Sequence, residues 1–220
     1  MSGFLRIVRG YSSLPSYLIS NRYSISSHQP IVFTPRYSPD PGLWPEHHTF
    51  PMYKFVDTSR VLLRNLVKSS DDFFDPLVDS PLQIKHLHEP LGPHEEKYIE
   101  RLMAGKLTKE ERRIIGFRDD LVDVVLERTV NECKGTYLTA KLAQQFGLAS
   151  NIAGGTHHAS RVGGSGFTIV NDLAIASFML LNEGVGKILV VDCDVHAGDG
   201  TNDRSMEQSE RTSRREEALC

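Results

Sequence analysis

Cysteine is scarce in this 220-residue chain: Cys133, Cys193 and Cys220 are the only three, and no two form a CxxC pair. That excludes a disulfide scaffold and points to a reducing compartment. Long apolar runs are also missing, because Asn171-Asp172 interrupts the longest one, so no bilayer span is expected. No charge of one sign dominates: 25 Lys and Arg face 28 Asp and Glu, for a net charge of −3. This balance argues against a nucleic-acid coat or a polybasic membrane binder. Phosphate-loop and nucleophile-elbow patterns are absent too, since GGSGF at 163–167 matches neither GxGxxG nor GxSxG.

Acids are absent from residues 1–39, which hold Arg6, Arg9, Arg22 and Arg36, with eight serines in the first 30 positions. Residues 40–220 therefore carry a net charge of −7. An Arg- and Ser-rich, acid-free start is the composition of an organellar transit peptide, or of a disordered tail; with no apolar h-region it is not a secretory signal. At the other end, nine of the 19 residues after Thr201 are charged, too polar to offset their ordering entropy by burial. The chain reads as 1–29 tail or transit peptide, 30–201 packed domain, and 202–220 charged tail.

Helical and strand patterns alternate through the middle, which predicts an α/β class with helices covering a mainly parallel sheet. Residues 30–33 read as a first strand and 57–68 as a helix. A further helix opens at Pro93, and Thr108–Glu111 fits a capping box. Asp119 is placed to cap a long helix ending at Phe146, with Gly147 as its stop. Residues 151–153 read as a strand before Gly154-Gly155. Asn171 or Asp172 starts a helix to about Asn182, and Lys187–Val195 reads as a buried parallel strand.

The strongest chemical signal is VDCDVHAGDG at 191–200, at the carboxyl end of that last strand, where open α/β sheets place ligands. Strand alternation would put Asp192, Asp194 and His196 on one face. Asp and His two residues apart suit zinc, which takes imidazole nitrogen and carboxylate oxygen. The plainer reading is a loop whose acids cap the next helix. A manganese ureohydrolase would share the architecture, but its Asp follows the His by two residues, whereas Asp199 follows His196 by three. His157-His158, after Gly154-Gly155, could form a proton-transfer pair because imidazole titrates near neutrality. His47-His48, in a Pro-rich loop, reads as structural or exposed.

Together, GGTHHA at 154–159, GSGFTIVNDLAIA at 164–176 and VVDCDVHAGDGT at 190–201 resemble the zinc-dependent histone deacetylase family in motif, order and spacing. PIVFTP at 30–35, HHTFPMYKF at 47–55 and GKLTKEERRIIGF at 105–117 are similar to its opening segments, so the resemblance covers 30–201. It is closest to bacterial-like and smaller eukaryotic members.

The resemblance implies an arginase/deacetylase-like three-layer α/β fold, with the sheet incomplete on its C-terminal side, and hydrolysis of acyl-lysine amides. It assigns Asp194 and His196 as zinc ligands and His157 and His158 as the paired active-site histidines. Asp192 would orient His157, Asp199 would orient His158, and Gly166 and Phe167 would line the acyl-lysine channel. A monovalent cation such as K+ would sit beside the zinc, against oxygens of Asp192, Asp194 and His196.

The family's third zinc ligand, an Asp, and its oxyanion-stabilising Tyr are expected beyond Thr201 and have no counterpart in the tail. Ala197 also stands where the family has His or Gln. These departures lead to the expectation of a product shortened by alternative splicing or a shifted frame, with weak zinc and impaired catalysis. A non-catalytic binding or regulatory isoform is the alternative; a third is a fragment that scarcely folds, its last strand edge left unpaired. Family resemblance further implies acetylated histone or protein lysines as substrates and corepressor-type partners, while the charge balance and the lack of a long apolar run lead to the expectation of no direct nucleic-acid or membrane binding. The resemblance suggests nucleus or cytoplasm, whereas the N-terminal composition suggests plastid or mitochondrion.

Overall fold

The computed structural model describes residues 29–65, 72–117 and 121–203, together with the backbone of Phe4–Ile7. In chain order the elements are β1 (Phe4–Ile7), β2 (Ile31–Val32), α1 (Lys54–Asn65), β3 (Phe73–Phe74), α2 (Pro76–Asp79) and α3 (Glu96–Met103). They continue with α4 (Lys109–Ile115), α5 (Leu121–Val124), α6 (Leu126–Phe146), β4 (Ser150–Asn151), α7 (Asp172–Asn182) and β5 (Ile188–Val191). Three strands form a parallel sheet in the order β3-β2-β4, with Ile31 opposite both Phe73 and Ser150. Parallel neighbours need crossover connections, and helices supply them.

Local chemistry sets the helix ends. In α4 the Glu111 amide donates to Thr108 Oγ1 at 3.2 Å and the Thr108 amide donates to Glu111 Oε2 at 2.7 Å, a complete capping box. Gly147, at φ +86°, turns the chain out of α6 in the left-handed conformation that glycine adopts without penalty. Asn171 caps α7, its side chain accepting from the Ala174 amide at 2.9 Å. The long helix expected from Asp119 breaks at Val125, and Asp119 itself lies outside the described residues.

Helix α6 is the centre of the molecule, although its sequence is largely polar. Its buried residues include Arg128, Thr129, Asn131, Glu132, Thr136 and Lys141. Most of them find partners: Arg128 donates to Glu132 Oε1 at 2.7 Å and to the Tyr37 carbonyl at 2.9 Å, and Lys141 reaches Glu183 at 2.5 Å, whereas Asn131 Nδ2 and Glu132 Oε2 have none among the described residues. Around them packs a core that includes Tyr37, Met52, Tyr98, Ile115, Tyr137, Ile169, Ile175 and Leu180.

One expectation is overturned. Residues 187–195 do not form a buried parallel strand: β5 spans four residues and pairs antiparallel with β1, Phe4 opposite Val191. Ile188 faces the core, while Leu189 and Val191 are 56% and 45% exposed. A parallel strand is buried when helices cover both faces of its sheet; among the described residues only one face of β5 is covered.

Candidate active site

The two adjacent histidines stand on the loop that leaves β4. Gly154 and Gly155 turn that loop at φ +106° and +80°. A Cβ at Gly154 would fall 2.6 Å from Asp172 Oδ2 and 2.7 Å from Thr136 Oγ1, so glycine is required for the loop to lie against α6 and α7. The rings of His157 and His158 lie 4.2 Å apart between centroids, inclined at 67°.

Each histidine is held through Nδ1 by an aspartate. His157, which is buried, places Nδ1 2.5 Å from Asp192 Oδ2, and the half-buried His158 places Nδ1 3.0 Å from Asp199 Oδ1. Engaging Nδ1 leaves Nε2 as the nitrogen for proton exchange. Burial pushes the Asp192 carboxyl up, but the bonds from His157 and from the Asp194 amide outweigh it, so its pKa falls below the ordinary carboxylate value. Asp199 is lowered chiefly by its bond to His158.

Strand alternation does not bring Asp192, Asp194 and His196 to one face: the side chains of Asp194 and His196 meet, while Asp192 turns to His157. The strand ends at Val191, and residues 192–196 form a bent loop. There the Asp194 amide donates to Asp192 Oδ1 at 2.9 Å and the His196 amide donates to Asp194 Oδ1 at 2.8 Å. These are two successive side-chain-to-backbone turns, in place of the expected common strand face. His196 Nδ1 also lies 2.8 Å from Asp194 Oδ1, and the bonds from the His196 amide and ring lower the Asp194 pKa to about 2. The His196 ring is 5.6 Å from that of His158.

Gly166 and Phe167 close the other side. A Cβ at Gly166 would fall 2.7 Å from His158 Cδ2, so backbone passes directly against the histidine. Phe167 adopts φ +64°, a left-handed conformation rare outside glycine, and is held there by its amide donating to the Ile115 carbonyl at 2.7 Å. Its ring packs against Phe117 (5.4 Å), Phe50 (5.8 Å) and His48 (6.0 Å), and Lys54 Nζ sits 4.3 Å over Phe50. Sequence reasoning missed this wall beyond Phe167; the aromatic residues of HHTFPMYKF were the available signal. His48 is an internal part of it, stacking on Trp44 and accepting from the Phe50 amide, while His47 is exposed.

The histone deacetylase domain matches residues 58–212, more than half of the chain. The chain belongs to the histone deacetylase family. The family's arginase/deacetylase fold accounts for the helices packed on a parallel sheet. An uncharacterized protein of the cyanobacterium Picosynechococcus is 40% identical over 173 residues, covering 78% of this chain and 54% of its own. The acetoin utilization protein AcuC of Bacillus subtilis is 31% identical, covering 74% and 43%, and histone deacetylase 2 of Arabidopsis thaliana is 28% identical, covering 70% and 39%. This deacetylase-family chain thus spans about half, or less, of the length of these relatives.

The family implies a metal ion at this site. Asp194 and His196 bring two donors of the right chemistry together, but among the described residues no group of three His, Cys, Asp or Glu is placed to hold a metal ion. A catalytic zinc takes three protein ligands. The described residues of this deacetylase-family chain therefore do not make up a catalytic zinc centre.

Proposed function

We propose that this chain carries the acyl-lysine-binding and proton-transfer side of a lysine deacetylase site, and that its 220 residues hydrolyse acetyl-lysine slowly. The observation that supports this reading best is the pair of histidines, each held through Nδ1 by its own aspartate, beside the Phe167 wall. His158, the more accessible of the two and next to Gly166, is the better placed to exchange protons with substrate. It would take a proton from the attacking water as the new C–O bond forms, and return one to the lysine amine as the C–N bond breaks. His157 would hold the scissile group from the inner side. Asp192 and Asp199 would keep both rings in the tautomer with Nε2 outward. The apolar wall of Phe50, Phe117 and Phe167 would accept an uncharged acyl-lysine chain and reject a free ammonium, which costs several kcal/mol to desolvate.

Zinc enters this reading as a weakly held ion, with Asp194 and His196 as its two donors. A second reading, favoured by that incomplete donor pair, is a non-catalytic acyl-lysine-binding protein. One experiment separates them: an acetyl-lysine peptide is offered to the full chain with stoichiometric zinc, and binding and acetate release are both followed, with Bacillus subtilis AcuC as the reference. The first reading expects binding with release at least about 10²-fold below a complete site, the usual consequence of losing one oxyanion donor. Binding without release, persisting when His157, His158 and Asp194 are all replaced by Ala, would establish the second reading instead. Turnover at a complete enzyme's rate would contradict both.

A further inference from the structure

The buried carboxylate of Asp172 belongs to no part of the chemistry above, yet its bonds run toward it. Asp172 is the first residue of α7 and is wholly inaccessible to solvent. An acid in that position ordinarily favours the helix N-terminus from the surface, without being desolvated. Here the capping is done by Asn171, and the Asp172 carboxylate points away from its own helix into the histidine loop. Its Oδ1 accepts from the Thr156 amide at 2.7 Å and lies 2.6 Å from the Thr156 hydroxyl. Its Oδ2 accepts from the Gly155 amide at 3.0 Å and from Thr136 Oγ1 at 2.5 Å. A buried carboxylate is costly unless its oxygens are satisfied, and this one is satisfied by the two residues immediately before His157 and by α6.

Behind Thr136 the same direction of donation continues. Tyr37 Oη donates to Asn151 Oδ1 at 2.9 Å, and Asn151 Nδ2 donates to Thr136 Oγ1 at 3.3 Å. The other side of the loop is held by Asn171, whose Nδ2 donates to the Ala159 carbonyl at 3.1 Å and to Thr201 Oγ1 at 3.0 Å. Thr201 in turn donates its amide to the His157 carbonyl at 3.1 Å. Two consecutive residues, the cap and the first residue of α7, therefore grip the loop on both sides of the histidines.

We propose that Asp172 is a positioning residue: through Gly155, Thr156 and Thr136 it fixes the backbone that aims His157 and His158 at Asp192 and Asp199. The proposal rests on the reading of those histidines as the proton-transfer pair, but its test does not require turnover. The variants are Asp172→Asn, which offers one acceptor oxygen and sets its own amide against the loop donors, Thr136→Val, which removes one donor, and Thr136→Ser, which keeps it. In the full chain, imidazole ¹⁵N shifts at one fixed pH and amide exchange at Gly155 and Thr156 are measured.

Asp172→Asn should speed exchange at both amides by about tenfold or more, the equivalent of one lost charged hydrogen bond. It should also move the His157 and His158 nitrogen signals, with His47 as the unmoved reference. Thr136→Val should do the same in smaller measure, and Thr136→Ser should match the parent. If Asp172→Asn does not fold, Thr136→Val and Thr136→Ser decide. A lower thermal midpoint with unchanged His157 and His158 signals would overturn the proposal and leave Asp172 a structural residue only. Failure of acetyl-lysine hydrolysis alone would count against the deacetylase reading and leave this result standing.

Discussion

Asp192 Oδ2 lies 2.5 Å from His157 Nδ1, and this one bond ties the loop after β5 to the histidine loop across 35 residues of chain. It is largely sheltered, with the His157 side chain 7% and the Asp192 side chain 27% exposed. Asp192→Ala should lower unfolding stability by about 2 kcal/mol, the range for a hydrogen bond to a charged group. Asp192→Asn, which keeps an acceptor oxygen, should lower it by less. Urea unfolding of the three proteins checks this, and an unchanged midpoint in the Ala variant would show that the bond holds nothing in place.

Gly135 of α6 has no room for a side chain. A Cβ there would fall 1.8 Å from Tyr37 Oη and 2.9 Å from Tyr37 Cζ, and Tyr37 is wholly buried. Gly135→Ala should therefore destabilise the protein by about 2–3 kcal/mol through overpacking. Gly186→Ala meets nothing within 4 Å and should stay within about 0.5 kcal/mol of the parent. Thermal melts of both variants side by side measure the contrast, and equal midpoints would contradict the packing of Tyr37 on α6.

Glu132 carries the main pH signature of the interior. Burial raises its pKa above the ordinary carboxylate value against the opposing pull of Arg128, and its Oε2 has no hydrogen-bond partner among the described residues. The folded state therefore holds this proton at pH values where the unfolded chain has released it. Stability from the group is complete below the unfolded value and is lost as pH rises through the folded one. Glu132→Gln removes that titration, so the stability of the parent relative to the variant should be greatest in acid and shrink toward pH 8. Unfolding free energies of both at pH 5 and pH 8 check the sign; a difference that grows with pH would reverse it.

The exposed face of β5 makes a contrasting prediction. Leu189→Thr and Val191→Thr should each alter stability by no more than about 0.5 kcal/mol, as expected for surface positions. Losses of about 2–5 kcal/mol, typical of truncating a core aliphatic side chain, would restore the buried strand that the apolar run suggested.

What the sequence made legible was the chemistry that acts locally. The Thr108–Glu111 box, the Gly147 stop and the Asn171 cap depend on residues within a turn of one another, and all three are present. The family resemblance also implied the pairs Asp192–His157 and Asp199–His158, whose atoms lie 2.5 Å and 3.0 Å apart. Three other features depended on distant neighbours. Alternation puts Asp192, Asp194 and His196 on one face only while the strand persists, and it ends at Val191. The polar residues of α6 are buried because partners such as Tyr37 and Glu183 come to them from elsewhere in the chain. Asp172 looked like a break in an apolar run or a helix cap; its four donors come from two other segments.

The most direct test of the account is single-turnover release of acetate from an acetyl-lysine peptide by the zinc-supplemented chain, compared with its His158→Ala variant. The account predicts slow release by the parent and a further loss of about 10²–10⁴-fold in the variant, the usual contribution of a general acid–base group. No release by the parent, or release unchanged by His158→Ala, would contradict it.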